Sequence, residues 1–281
     1  MASIRRKLLE NVNESKNTRM NIMEVGLFAN FKPDELAHIS RYCKIGELVM
    51  SEAKRLGRPL DCLEAGCGQA WVLRFLHKAV VCTKSEQVRS YRGYDIDPAV
   101  LTDFWTVEDR DIHDASWFNL VGGKILLQDL TVDPTFTASP AEDGLYDMFW
   151  TTEVIEHMKP HFVEPWLADA ASRLRPGGLA YVSTPNSDGS NEKLPKDHVY
   201  EWGFGELRDL LEKYFEVKSV SGVFIQMPKF NRARQQWPER MSDEMVQTIK
   251  TRFDPFWQRV ILAAPFPEVA NNCAWQLRKK A

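Results

Sequence analysis

The stretch Leu63-Glu64-Ala65-Gly66-Cys67-Gly68-Gln69-Ala70 decides how this chain is read. An apolar run from Leu60 to Leu63 leads into two glycines separated by one residue, and a helical pattern from Ala70 to Lys78 follows. Gly66 and Gly68 allow a tight turn and let the backbone approach a ligand with no Cβ in the way. About one strand and one helix later stands Tyr94-Asp95-Ile96-Asp97. A strand, a glycine turn, a helix and then an acid closing the next strand mark a nucleotide-type cofactor site at the start of an α/β domain.

Glu64 narrows the ligand. A carboxylate two residues before the first glycine repels a pyrophosphate but attracts an ammonium group, directly or through water. S-adenosylmethionine (SAM) has an amino-acid tail and no phosphate, so it fits this turn better than NAD.

Working outward, strands and helices alternate. Arg89 to Asp95 reads as a second strand, and Pro98 opens a helix at a favoured early position. Lys124 to Asp129 is a third strand, and the very apolar Tyr146 to Trp150 a fourth, buried on both faces. Phe162 to Leu174 is helical and ends in Arg175-Pro176-Gly177-Gly178. Leu179 to Ser183, the helix Gly205 to Tyr214 and Glu216 to Phe224 continue the series. Arg259 to Ala263 and Cys273 to Arg278 are late strand candidates. Upstream, Met20 to Phe28 is apolar, and Pro33 opens a helix in which Ile39, Tyr42, Ile45, Leu48 and Val49 recur at helical spacing. Such alternation implies a parallel sheet with helices on both faces and ligands beyond the C-terminal strand ends.

The 281 residues suit one large α/β domain with additions, or two small domains, and 44% hydrophobic with 27% charged residues implies a packed core. The division expected is a helical cap over 1–57, a cofactor-binding core over 58–225, and a substrate-side insertion with the last strands over 226–281. The net charge of −3 provides no global field for nonspecific nucleic-acid binding. No apolar run approaches the roughly eighteen residues of a membrane span. The start, Met1-Ala2-Ser3-Ile4-Arg5-Arg6-Lys7, has basic residues without an apolar stretch behind them, unlike a secretory signal. Five cysteines without a CxxC pair read as free thiols in a reducing cytoplasm.

The chain resembles the class I SAM-dependent methyltransferases. The matching pieces, in order, are Glu64-Ala65-Gly66-Cys67-Gly68, Gly93-Tyr94-Asp95, Gln128-Asp129-Leu130, Tyr146-Asp147-Met148-Phe149-Trp150, Glu153-Val154-Ile155-Glu156-His157, Leu174-Arg175-Pro176-Gly177-Gly178 and Ser183-Thr184-Pro185-Asn186. The resemblance implies SAM as cofactor and a Rossmann-like, seven-stranded, mostly parallel α/β sheet with helices on both faces. Its last strand would be antiparallel, N-terminal helices would cover the pocket, and an insertion would precede the last strand hairpin. It also implies that Glu64, Gly66 and Gly68 form the loop around the methionine tail and that Asp95 bonds the ribose hydroxyls. Ile96 and Leu130 would lie beside the adenine, with Asp129 accepting from its amino group. Ala70 stands where the family usually has a third glycine. Asp97 also reads as a cap of the helix opened by Pro98, and Asp129 as a turn residue.

Glu153, Glu156 and His157 follow the fourth strand, and on a helix these positions would share one face. His198, in Asp197-His198-Val199-Tyr200-Glu201-Trp202, follows the fifth strand. Two carboxylates and two imidazoles suit one divalent cation, with Mg²⁺, Mn²⁺ and Zn²⁺ the candidates. The set resembles that of the Hen1-type small-RNA 2′-O-methyltransferases. Similar residues also occur in relatives resembling the ubiquinone-biosynthesis O-methyltransferases. The expected activity is SAM-dependent O-methylation with metal assistance, Glu153, His157 and His198 being the catalytic candidates. The acceptor would be a small hydroxylated molecule or, alternatively, the 2′-hydroxyl of an RNA end. A SAM-binding regulator without catalysis is a third reading. With no metal, His157 orders its loop or acts as an ordinary base, and His198 packs or acts alone. Phe230, Arg232, Arg234, Trp237, Arg240 and Phe253 combine rings that stack on bases with cations that pair with phosphates. They equally suit a covered core edge with solvated charges.

Overall fold

The computed structural model describes residues 33–68, 70–78, 87–98, 122–136, 144–187 and 194–280. The helices expected over Met20 to Phe28 and after Pro98 lie outside the described residues. Helix α1 (Pro33–Leu56) begins at the proline that the sequence marks as its start. Tyr42, Ile45, Leu48, Val49 and Ala53 form its buried stripe.

The core elements are β1 (Leu60–Ala65), α2 (Trp71–Lys78), β2 (Val88–Asp95), β3 (Gly123–Leu127), β4 (Tyr146–Thr152), α3 (Pro160–Ser172), β5 (Leu174–Pro185), α4 (Phe204–Leu211) and β6 (Phe215–Phe224). They are followed by α5 (Met227–Gln236), α6 (Asp243–Arg252), α7 (Pro255–Ile261) and β7 (Asn272–Lys279). The seven strands form one sheet in the order β3-β2-β1-β4-β5-β7-β6. Strands β1 to β5 are parallel, and β7 runs antiparallel to both β5 and β6. From β1 the chain winds outward through β2 and β3; it then crosses back to β4 and winds the other way. The reversal opens a crevice at the C-terminal ends of β1 and β4, where ligands of such sheets lie.

Alternate residues of each central strand face opposite layers. Cys62, Met148, Trp150 and Tyr181 pack with α1 and α2 through Tyr42, Ile45, Leu73 and Leu76. Leu63, Phe149, Ala180 and Val182 pack on the other face with Trp166, Leu167 and Leu207 of α3 and α4. With both faces covered, the strands read as continuous apolar runs rather than alternating ones.

The structure corrects the sequence in three places. Helix α3 begins at Pro160 and ends at Ser172, and Arg175 to Gly178 falls inside β5. Those residues form an irregularity, because the pairing with β4 shifts from Tyr146↔Leu174 to Met148↔Leu179. Arg259 to Ala263 is not a strand. Its first residues end α7, which starts at Pro255 with the Asp254 side chain accepting from the Phe256 N–H at 2.8 Å. A short apolar run does not distinguish strand from helix, and here the proline and its cap decide. Consequently the insertion sits between β6 and β7, within the final antiparallel pair rather than before it.

The insertion has its own core of Ile225, Phe230, Met241, Val246, Ile249, Leu262 and Phe266. Phe230 is fully buried, so it is not a stacking platform. Arg234 pairs with Asp243, while Arg240 pairs with Glu268 at 2.7 Å and lies 4.5 Å over the Trp237 ring. Arg232 and Phe253 are exposed. Among the described residues, no helix is long and apolar enough to cross a membrane.

Candidate active site

Each expected site segment follows a strand at the same edge of the sheet. After β1, the Gly66 and Cys67 N–H groups donate to the Tyr94 carbonyl at 2.8 and 3.1 Å. The turn is thereby clipped to the end of β2. The Gly68 N–H donates to Asp95 Oδ2 at 2.7 Å, and the Asp97 N–H to Asp95 Oδ1 at 2.9 Å. One carboxylate therefore ties the glycine loop to the turn after β2. Gly66, Gly68 and Ala70 all have positive φ, of 69°, 52° and 55°. Ala70, where the family usually has a glycine, thus adopts a left-handed backbone, which costs a residue with a Cβ about 1–2 kcal/mol. Gly66 carries a second constraint, because a Cβ there would come within 2.1 Å of Val154 Cγ2. The segment after β4 closes directly over this glycine, so its small size serves packing as well as ligand approach.

Glu64 lies beneath the loop, 2% exposed, with the Tyr91 hydroxyl donating to its Oε2 at 2.5 Å. Burial pushes its pKa up to about 8, assisted by the nearby Asp95 charge and opposed by the Tyr91 hydrogen bond. Asp129 stands beyond the end of β3. Its Oδ1 accepts from the Thr131 N–H at 2.9 Å and from the Thr131 hydroxyl at 2.5 Å, an Asx turn that fixes the carboxylate. Leu130 beside it is buried, and Ile96 is half-buried after β2. This cradle fits SAM: a positive-φ glycine loop, fixed carboxylates at the ends of β2 and after β3, and apolar neighbours between them.

The segment after β4 is a single 3-10 turn (Ile155–His157), not an α-helix. Glu153 precedes it with φ of +56°, a left-handed geometry rare for a residue with a Cβ. The expected shared helical face of Glu153, Glu156 and His157 therefore does not form. Glu153 instead turns toward α1 and β7. Its Oε1 lies 3.0 Å from Arg41 and accepts from the Ser183 hydroxyl at 3.2 Å, while Oε2 accepts from the Asn272 amide at 2.8 Å.

Glu156, His157 and His198 do converge, with ligand atoms all within 4.8 Å of one another. The imidazoles of His157 and His198 meet edge to face, with centroids 5.1 Å apart. His157 Nδ1 lies 2.8 Å from the Asp197 carbonyl oxygen, and His198 Nδ1 lies 2.7 Å from Glu201 Oε1. Both partners are acceptors only, so each neutral ring carries its proton on Nδ1 and leaves a lone pair on Nε2. Glu156 is fully buried; its Oε2 accepts from the Thr184 hydroxyl at 2.9 Å, and its Oε1 has no hydrogen-bond partner. An orphaned carboxylate oxygen beside two imidazoles fits a divalent cation. Burial, and next the Glu153 charge, push the Glu156 pKa well above the usual range in the cation-free protein.

The backbone fixes this geometry. The Glu156 carbonyl accepts from the Val199 and Tyr200 N–H groups at 2.7 and 3.0 Å, which pins the His198 loop onto the His157 turn. Arg41, Tyr91 and Asn272 support the site but carry no local sequence signal, while Ser183 and Thr184 stood in the Ser183-Thr184-Pro185-Asn186 motif without an assigned role. Glu201 was visible in the sequence as part of the Asp197-His198 motif, without a role.

Fold and site together fit the class I SAM-dependent methyltransferases that the sequence resembles. The chain belongs to the methyltransferase domain family, whose profile matches residues 36–236. Over 170 residues it is 29% identical to a probable S-adenosylmethionine-dependent methyltransferase of Mycolicibacterium smegmatis, a match covering 58% of this chain and 55% of that protein. The chain thus spans about half the length of that curated relative. Among solved structures, the small RNA methyltransferase HEN1 superposes with a TM-score of 0.55 at 16% identity, over 91% of this chain and 26% of that one. A SAM-dependent methyltransferase from Mesorhizobium loti superposes with a TM-score of 0.51 at 13% identity, over 88% of this chain and all of that one, 100%. At such identities these two structures speak for the fold alone.

Proposed function

We propose that the protein transfers the methyl group of SAM to a hydroxyl oxygen and that Glu156, His157 and His198 hold a divalent cation beside the acceptor. The observation that carries this reading is the convergence of those three side chains, with both imidazoles committed at Nδ1 and Glu156 Oε1 left without a partner. When bound, SAM supplies a methyl group on a sulfonium, and a divalent cation supplies Lewis acidity that lowers the pKa of a nearby hydroxyl.

The residues of the chain then divide the work. Gly66 and Gly68 would hold the methionine tail, Asp95 the ribose hydroxyls, and Asp129 the adenine amino group with Ile96 and Leu130 beside it. Glu64 would act from beneath the loop, where a ligand ammonium favours its ionised form. Three protein ligands leave open positions for water and acceptor oxygens, the arrangement of catalytic rather than structural cation sites. Glu153, the fourth ligand expected, would have to release Arg41, Ser183 and Asn272 to join them. Mixed carboxylate and imidazole donors favour Mn²⁺ or Zn²⁺ over Mg²⁺ in raw affinity.

A small acceptor carrying neighbouring hydroxyls is the favoured class. Phe230 is buried in the insertion, and Arg234 and Arg240 are paired within it, which leaves little of the expected nucleic-acid surface. An RNA 2′-hydroxyl end presents the same vicinal oxygens and is the second reading, and a SAM-binding regulator without turnover is the third. The test is methyl transfer from labelled SAM to small polyols, catechols and short RNAs, before and after EDTA, with Mn²⁺, Mg²⁺ or Zn²⁺ restored. Turnover should vanish with the cation and return with it, while SAM binding stays nearly constant. Full turnover without metal would end the cation reading and leave His157 or His198 as a general base.

A further inference from the structure

We propose that Glu201 is a positioning residue of the cation site, fixing the tautomer and orientation of His198 so that Nε2 is held ready for the cation. The inference rests on the cation reading above and adds a residue outside the converging group. Glu201 lies three positions after His198, and its Oε1 accepts from Nδ1 at 2.7 Å. The two side chains are 19% and 14% exposed, so the contact is largely shielded from water. A carboxylate cannot donate, so this contact exists only with the proton on Nδ1. A carboxylate behind a histidine also raises the basicity of the other nitrogen, the usual outer partner of a metal-binding imidazole.

The loop does not need this contact to hold its path. Its backbone is already pinned by Val199 and Tyr200 N–H to the Glu156 carbonyl, by the Ser187 N–H to the Trp202 carbonyl at 3.0 Å, and by the His198 N–H to the Pro195 carbonyl at 3.1 Å. What Glu201 adds is the direction and protonation of one ring. His157 takes the same tautomer from a backbone carbonyl, that of Asp197, which no side-chain substitution removes. The Asp197 carboxylate stands farther off, with its Oδ2 4.0 Å from His157 Nδ1, so the close Nδ1 partner is a side chain at His198 and a backbone carbonyl at His157.

The experiment has two arms on the full chain. Nitrogen NMR of the metal-free protein reads the His198 tautomer, and calorimetry with Mn²⁺ and Co²⁺ reads cation affinity, both for wild type, Glu201→Gln and Glu201→Ala. Wild type should hold the proton on Nδ1. Glu201→Ala should lose that preference and bind either cation about ten- to a hundred-fold more weakly. Glu201→Gln, whose amide oxygen still accepts from Nδ1, should keep the tautomer and recover part of the affinity. SAM affinity should be the same in all three, which a general loosening of the loop would not allow. A wild-type His198 protonated on Nε2, or unchanged cation affinity in Glu201→Ala, overturns the proposal while leaving the cation reading intact. A wild type with the Nδ1 tautomer that binds neither cation overturns the cation reading, and the proposal with it.

Discussion

Glu64 illustrates how a single residue of this site depends on its surroundings. Its carboxyl is sealed beneath the glycine loop, and burial pushes its pKa to about 8, well above the ordinary value of 4.5. In the cofactor-free protein the folded state therefore holds a proton that the unfolded chain releases above its own, lower pKa. The associated stability is fully present below pH 4.5 and is lost as pH rises through about 8. Between about pH 5 and 8 the slope should approach 1.4 kcal/mol per pH unit for this group. Urea unfolding of the cofactor-free protein across that range checks it, and Glu64→Gln should flatten the Glu64 component. A wild-type slope identical to that of the variant would mean that Glu64 is already ionised in the fold. Glu153 shows the same dependence in its backbone. Its left-handed φ is a local cost that persists because Arg41, Ser183 and Asn272 all hold the carboxylate.

Helix α1 is tied to the chemical edge of the sheet through one buried side chain. Arg41 is 2% exposed, lies 3.3 Å from His38 Nδ1 on its own helix, and reaches Glu153 at the end of β4. His38, half-buried next to this guanidinium, has its pKa pushed down to about 3, first by desolvation and then by the Arg41 charge. Helix, strand end and β7 thus meet at one ion pair. Arg41 is buried and Glu153 is 21% exposed, so removing one partner leaves the other charge only partly compensated by water, which costs about 1–3 kcal/mol. Arg41→Ala should lower the unfolding free energy by about that amount, with Glu153→Gln relieving part of the loss in the double variant. Chemical denaturation of the four proteins measures the coupling. Strictly additive losses would mean that the pair does not anchor α1.

Across the whole molecule, a cluster of buried carboxylates paired with arginines and the proposed site occupy opposite edges of the sheet. At the N-terminal edge, the buried carboxylates of Asp61 and Asp147 are met by Arg58, Arg89 and Arg175, with Asp147 also accepting from the Asp61 N–H at 2.8 Å. At the C-terminal edge stand the glycine loop, Asp95, Asp129 and the Glu156–His157–His198 group. Substitutions should separate accordingly. Asp95→Ala removes charge-assisted hydrogen bonds and should weaken SAM about ten- to a hundred-fold by calorimetry. Asp147→Asn should leave SAM affinity close to wild type and lower the melting temperature instead. The reverse pattern would place the cofactor elsewhere on the fold.

What the sequence determined by itself is what short-range physics controls. The glycine turn, the proline-opened α1, the apolar strands and their alternation with helices depend on neighbours a few residues apart, and so were legible without a structure. The order of motifs along the chain carried the family as well. Tertiary structure alone decided matters that depend on distant partners. Glu153 and Glu156 stand three residues apart, yet Glu153 faces Arg41 and Asn272 while Glu156 joins His157 and His198, because the backbone turns left-handed between strand and 3-10 turn. A helical spacing rule does not see that reversal. Likewise Arg259 to Ala263 is apolar enough for a strand. Its helical start at Pro255 and the burial of Leu262 and Ala263 in the insertion's core decide otherwise. The role of Glu201 was hidden for the same reason: the tautomer of His198 follows from which atoms the folded loop brings within hydrogen-bonding distance, and spacing in the chain does not encode it.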